Sequence, residues 1–304
     1  MKKLVVFMAA IMLLAGCTVK QKSENDKPVV VTTIGQIADA VSVIAGDYVE
    51  VKALMGPGVD PHLYKATQGD LSKLESADVI FYSGLHLEGK MLDVFEKMQE
   101  SGKSVAAISE SIEESELLGN EMDANLYDPH VWFDINIWKT AVHQITETLS
   151  DKYPENKEEF NKNEAIYFKE LDDLSAYAQQ RIGEIPASGR VLVTAHDAFN
   201  YFGRSLNIEV LGLQGLSTEA EYGLKDVQEV VDFLVGNNIK AVFIESSVSD
   251  KAMKAVIDGA KEKDQAVKIG GEIFSDAMGK ESTKEGTYIG MYKHNVDTIV
   301  NALK

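Results

Sequence analysis

Eight short runs of β-branched and aliphatic residues, separated by segments whose apolar residues recur every three or four positions, restrict this chain to a narrow set of folds. VVVTTI (29–34), VEVKAL (49–54), DVIFYS (78–83) and SVAAIS (104–109) form a first series. RVLVTA (190–195), IEVLGL (208–213), KAVFIE (240–245) and AVKIGG (266–271) form a second. Strands alternating with helices in this way build βαβ units, whose crossover connections make the strands parallel. The expected class is α/β, with two lobes, each a four-stranded mainly parallel sheet flanked by helices. VVVTTIGQIADAV and VLVTAHDAFNYF are faintly alike, in keeping with a structural repeat.

Between the two series lie residues 154–186, bounded by Pro154 and Pro186. Proline suits the first turn of a helix and stops one at its far end, and Tyr167, Leu171, Leu174, Ala178, Ile182 and Ile185 form a stripe at helical spacing. One long rigid helix of about thirty residues, roughly 45 Å at the usual rise, is expected here. It would join a lobe at 28–153 to a lobe at 187–304. The stripe is too short and too rich in Ala and Tyr for a coiled-coil seam, so a monomer is expected.

The amino terminus stands apart from this pattern. Lys2 and Lys3 precede an apolar run from Leu4 to Ala15, then Gly16 and Cys17, the arrangement of a secretory signal. Twelve apolar residues are too few to cross the roughly 30 Å of a bilayer's hydrocarbon as a helix. Leu14-Ala15-Gly16-Cys17 resembles the bacterial lipoprotein signal, which implies removal of residues 1–16 and lipidation of Cys17. Residues 17–27 are then a lipid-bearing, polar, flexible tether. With a single cysteine the chain forms no internal disulfide. Its 48 acidic and 30 basic residues give a formal charge of −18, and loss of Lys2 and Lys3 takes this to −20. Such a surface repels phosphate backbones, so no nucleic-acid partner is expected.

Candidate chemistry gathers where parallel sheets bind ligands, beyond the carboxyl ends of strands. His62, in GPGVDPHLYKATQGD, follows the second run; His130, in DPHVWFD, follows the fourth; His196 comes directly after RVLVTA; Asp276, in GEIFSDAMG, follows the last. Each lobe thus supplies two potential ligands to one cleft. Both Asp-Pro-His sequences place histidine where proline stiffens the approach, which suits ligands held in position. Imidazole favours Zn, Mn, Fe or Cu, and one carboxylate adds the hard oxygen that moves preference toward Mn. Asp60, Asp128, Asp197 and Glu245 are the expected supporting carboxylates, and Glu245 is also a competing ligand. His86 is a candidate contact at the cleft rim, whereas His143 and His294 lie in helical runs as surface or packing residues. Met253, Met278 and Met291 read as core rather than as a copper site.

At these residues the chain is similar to a known family. GPGVDPHLYKATQGD, SGLHLEGKM, DPHVWFD, VLVTAHDAFNYFG, GLQGLSTEAEYG, FIESS and IGGEIFSDAMG resemble, in order, the signature blocks of metal-binding lipoproteins that serve bacterial zinc and manganese ABC importers. The likeness is greatest to the manganese-binding lipoproteins of Gram-positive bacteria. It implies two α/β lobes bridged by one rigid helix, and His62, His130, His196 and Asp276 as the four ligands. It further implies an extracytoplasmic, lipid-anchored protein that captures Mn(II), with Zn(II) the alternative, and passes it to a membrane permease driven by a cytoplasmic ATPase. Several manganese-selective members have glutamate at the third ligand position, where this chain has His196. Zinc-specific members often carry a histidine-rich loop, and EESELLGNEMDANLY (113–127) contains no histidine.

Four protein ligands close a coordination shell, whereas catalytic zinc keeps a position open for water. The chain also lacks HExxH and GxSxG. Binding without catalysis, and no catalytic cofactor, is therefore expected; a secreted metallohydrolase and an adhesin holding a structural metal are the rival readings.

Overall fold

The computed structural model describes residues 27–119 and 126–304. The signal segment, Cys17 and nearly all of the tether lie outside the described residues, as do residues 120–125 of the acidic loop. No helix among the described residues is long and apolar enough to cross a membrane.

All eight expected strands form within a residue or two of their apolar runs. In the first half β1 (Val29–Thr32), β2 (Glu50–Ala53), β3 (Val79–Tyr82) and β4 (Ser104–Ala107) make one parallel sheet in the order β2-β1-β3-β4. Val30 pairs with Val51 on one side and Val79 on the other. Helices α1 (Gly35–Ala45), α2 (Gln68–Ser76) and α3 (Leu92–Glu100) make the connections, and α4 (Ile135–Lys152) follows the sheet. α2 is started by a reciprocal cap in which Thr67 Oγ1 accepts from the Asp70 N–H and the Asp70 carboxylate accepts from the Thr67 N–H.

The second half departs from the expected single four-stranded sheet. β5 (Val191–His196) pairs in parallel only with β6 (Glu209–Gln214), and β7 (Ala241–Glu245) only with β8 (Lys268–Ile273). β5 and β7 lie side by side. At the carboxyl end of this seam the His196 N–H donates to Glu245 Oε1 at 2.9 Å, so a side-chain carboxylate stands where a ladder rung would be. Helices α6 (Asn200–Leu206), α7 (Leu224–Gly236), α8 (Lys251–Glu262) and α9 (Tyr288–Leu303) complete the half.

The joining helix is shorter than the Pro154–Pro186 span. A 3₁₀ turn at Pro154–Asn156 precedes α5 (Lys157–Ile182), whose 26 residues extend about 39 Å at 1.5 Å each. Its far end tightens because the Glu184 and Ile185 N–H groups bond three residues back, to Arg181 and Ile182. Phe160, Tyr167, Leu171, Leu174, Ala178 and Ile182 are buried along one face, which packs on α1, α4 and α9. The larger core runs without a break from the first sheet through α5 into α6 and α9, and a smaller one lies among β5, β6, β7, α7 and α8. Because both halves and the helix share that core, unfolding is expected as one transition, with Leu171→Ala destabilising by about 2–5 kcal/mol. Two separate denaturant transitions for the two halves would contradict it.

A second tie crosses from α1 to α9. Asp39 Oδ2 accepts the Tyr288 N–H at 2.9 Å. Burial pushes the Asp39 carboxyl up to about 6, and the Tyr288 N–H only partly offsets this. An acid whose folded pKa is raised binds its proton more tightly folded than unfolded, so the fold gains stability as pH falls from about 6 toward the ordinary value of 3.8. Asp39→Asn is expected to raise the melting temperature at pH 7.5 and to have no effect near pH 4; equal effects at both would refute the assignment.

Candidate metal centre

The four candidate ligands converge. His62 lies in the loop after β2, His130 in the loop after β4, His196 is the last residue of β5, and Asp276 follows β8. All four are buried, at 2%, 0%, 0% and 1% exposure. One ligand atom from each lies within 4.8 Å of every other, and no other such convergent group occurs among the described residues. His130 Nε2 is 3.3 Å from Asp276 Oδ1; His196 Nε2 and His62 Nε2 are 3.3 and 3.8 Å from Asp276 Oδ2. Atoms coordinated at about 2.1 Å in a tetrahedron stand about 3.4 Å apart, so the spacing suits one ion.

Local chemistry sets each side chain. Asp128 Oδ1 accepts both the His130 N–H at 2.9 Å and its ring Nδ1–H at 2.7 Å. Glu245 accepts the His196 N–H on Oε1 at 2.9 Å, and its Oε2 stands at ion-pair distance, 2.6 Å, from His196 Nδ1. A carboxylate on Nδ1 holds the proton there and leaves Nε2 free to ligate. Asp60 Oδ1 accepts the His62 N–H at 2.9 Å. Asp276 is placed through its neighbour: Gln36 Nε2 and Trp132 Nε1 both donate to the Ser275 carbonyl at 3.2 Å. Tyr201 Oη donates to the Asp128 carbonyl at 3.0 Å, and Tyr288 Oη to that of Trp132 at 2.6 Å. Second-half residues therefore fasten the His130 loop, while first-half residues fasten the Asp276 loop.

The electrostatics follow from burial and proximity. Burial raises the Asp276 carboxyl, yet His196 and His130 outweigh it and hold the group well below the ordinary range. Burial lowers His62 to about 3. It opposes charge on His130 and His196 as well, but Asp128 and Asp276 carry the first up to about 9, and Glu245 and Asp276 carry the second well above its ordinary value. The Nε2 atoms of all three histidines and both oxygens of Asp276 are buried without a hydrogen-bond partner. Buried polar atoms left unpaired are expensive, and five aimed at one another call for a cation.

The supporting residues divide. Asp60, Asp128 and Glu245 each accept the main-chain N–H of a candidate ligand. Asp197 does not: its Oδ1 accepts the Gly212 N–H at 2.8 Å and its own N–H donates to Gln214, so it joins the end of β5 to β6. Gly212 permits this approach, since a Cβ there would lie 2.5 Å from the Asp197 nitrogen. His86 is exposed and outside the convergent group, at φ +65° in a left-handed turn with Gly84 and Leu85. His143, half exposed, pairs with the largely buried Glu164, and His294 Nε2 meets the Glu272 carbonyl. Met253, Met278 and Met291 are core. Gln36, Trp132 and Tyr201 carry no sequence signal for their roles, because their partners are 239, 143 and 73 residues away.

Residues 30–302 match the family described as zinc-uptake complex component A, periplasmic. This chain belongs to that family. It is 52% identical over 303 residues to the manganese-binding lipoprotein MntA of Bacillus subtilis, covering 98% of each chain. It is 49% identical over 284 residues to the zinc-binding protein TroA of Treponema pallidum, covering 93% of this chain and 91% of that one. A solved structure of the Treponema protein superposes with a TM-score of 0.89 at 50% identity, over 91% of this chain and 99% of that one. In this metal-binding family member, Asp128→Ala is expected to weaken Zn(II) affinity about 10- to 100-fold, the usual effect of losing a carboxylate behind a ligating imidazole. Asp197→Asn should leave affinity unchanged. Competition titration against a chromophoric chelator reads both, and equal losses would refute the division.

Proposed function

We propose that this chain is a lipid-anchored, extracytoplasmic solute-binding protein that captures Mn(II) at His62, His130, His196 and Asp276. It hands the ion to the permease and ATPase of an ABC importer. The observation that carries the reading is the set of five buried ligand atoms, three Nε2 and two carboxylate oxygens, with no partner but one another. Four protein ligands favour a closed shell and transport over hydrolysis. The lobes at 28–153 and 187–304 are proposed as the two jaws of the site, with the 154–186 segment between them. Cys17 is proposed as the lipidated residue, supported by Leu14-Ala15-Gly16-Cys17 and by the naming of relatives as lipoproteins.

Manganese is favoured by the likeness to MntA and by the absence of histidine from residues 113–127. Zinc is the second reading, favoured by three imidazoles and by the likeness to TroA. Affinity in a test tube does not separate them, because Zn(II) binds such a donor set more tightly by intrinsic order while cells select by geometry and availability. The test is uptake. In a strain lacking the gene and starved with a chelator, selective loss of high-affinity ⁵⁴Mn uptake is expected, restored by the wild-type gene and not by His62→Ala. Loss of ⁶⁵Zn uptake with ⁵⁴Mn uptake intact would sink the manganese reading and promote zinc.

A further inference from the structure

The three imidazoles are not held alike. His130 and His196 each have Nδ1 against a carboxylate, at 2.7 and 2.6 Å. Nδ1 of His62 makes no hydrogen bond among the described residues, and this histidine is positioned through its main chain by Asp60. The other oxygen of Asp60 is taken from the opposite half of the chain, where Thr218 Oγ1 donates to Oδ2 at 2.6 Å. Thr218 lies in the segment between β6 and α7, which closes on itself: Gln214 Nε2 donates to the Thr218 and Ala220 carbonyls at 2.8 and 2.5 Å. Beside it Glu219 Oε1 meets Lys90 Nζ at 2.9 Å, again across the halves. Both partners of that ion pair are 39% exposed, so it contributes little, and the part-buried Asp60–Thr218 bond is the stronger tie.

We propose that residues 215–222 form a latch across the metal centre, and that Thr218 is a positioning residue for His62. Thr218 fixes Asp60, Asp60 fixes the His62 main chain, and the ring, having no carboxylate of its own, faces the ion only while the latch is closed. His62 is then the ligand that departs first when metal leaves, and the pair Asp60–Thr218 sets how often. The proposal rests on the reading of His62, His130, His196 and Asp276 as the metal site.

The test uses the mature protein and Zn(II) alone. Dissociation is followed by stopped flow against excess chelator, and imidazoles on the ion are counted by X-ray absorption. Thr218→Val, which keeps shape and loses the hydroxyl, is expected to speed release about tenfold, the scale of one hydrogen bond to a charged group. The imidazole count should fall from three toward two. Thr218→Ser, which restores the donor, should return both to wild type, and Lys90→Met should change release by about twofold or less. Gln214→Met, which frees the segment without touching Asp60, is expected to speed release as well and serves if Thr218→Val does not fold. Wild-type release and three imidazoles in Thr218→Val, or in Gln214→Met where it stands in, would overturn the latch. Asp276→Ala separates the two ideas, since undiminished Zn(II) binding in that variant would place the metal elsewhere and overturn the underlying site instead.

Discussion

A carboxylate removed from water among three imidazoles is the interaction on which the rest of this structure depends. Asp276 has no hydrogen-bond donor for either oxygen, and the Nε2 atoms facing it have no other partner. Such a group persists in a protein interior only when its surroundings are held so firmly that it cannot turn outward. That firmness comes from main-chain anchoring: Gln36 and Trp132 on the Ser275 carbonyl, Asp128 on the His130 N–H, Glu245 on the His196 N–H. The bonds to Ser275 cross between the halves and Glu245 joins two strand ends, while Asp128 fixes His130 from within its own loop.

The same need accounts for the unequal sheets. The first half keeps a continuous four-stranded ladder, and its candidate ligands stand on loops beyond it. In the second half His196 is itself the last residue of β5, so its backbone is part of the site, and Glu245 enters the seam to hold both its N–H and its ring. The second sheet gives up continuity where the site takes over. Behind it, α5 and the core it shares with both halves leave little freedom for the halves to swing apart, in contrast to binding proteins that close on flexible hinges.

Local signals were legible in the sequence wherever a residue's role depends on its own neighbourhood. The eight strands follow β-branched runs, the helix stripe from Tyr167 to Ile182 faces the core as its spacing predicts, and the candidate ligands stand at the carboxyl ends of strands. The helix ends were less legible, because Pro154 opens a 3₁₀ turn and the Glu184 and Ile185 N–H groups tighten the chain before Pro186. Asp197 looked like its neighbours Asp60 and Asp128, yet its carboxylate turns toward Gly212, a choice set by the proximity of β6. Thr218 offered no signal of its own, being 158 residues from the oxygen it binds.

Complete burial of the ligand set has a consequence for timing. An ion held, as proposed, by side chains of 0–2% exposure would meet solvent only at the Asp276 side, which borders a surface pocket with Met55 and Met278, so it would exchange chiefly during brief local openings of the surrounding loops. Where opening is slower than the breaking of metal–ligand bonds, every cargo leaves at the rate of the opening, whatever its intrinsic affinity. The protein would then behave as a clock more than as a balance, and a partner that widened the opening would govern when the ion is surrendered.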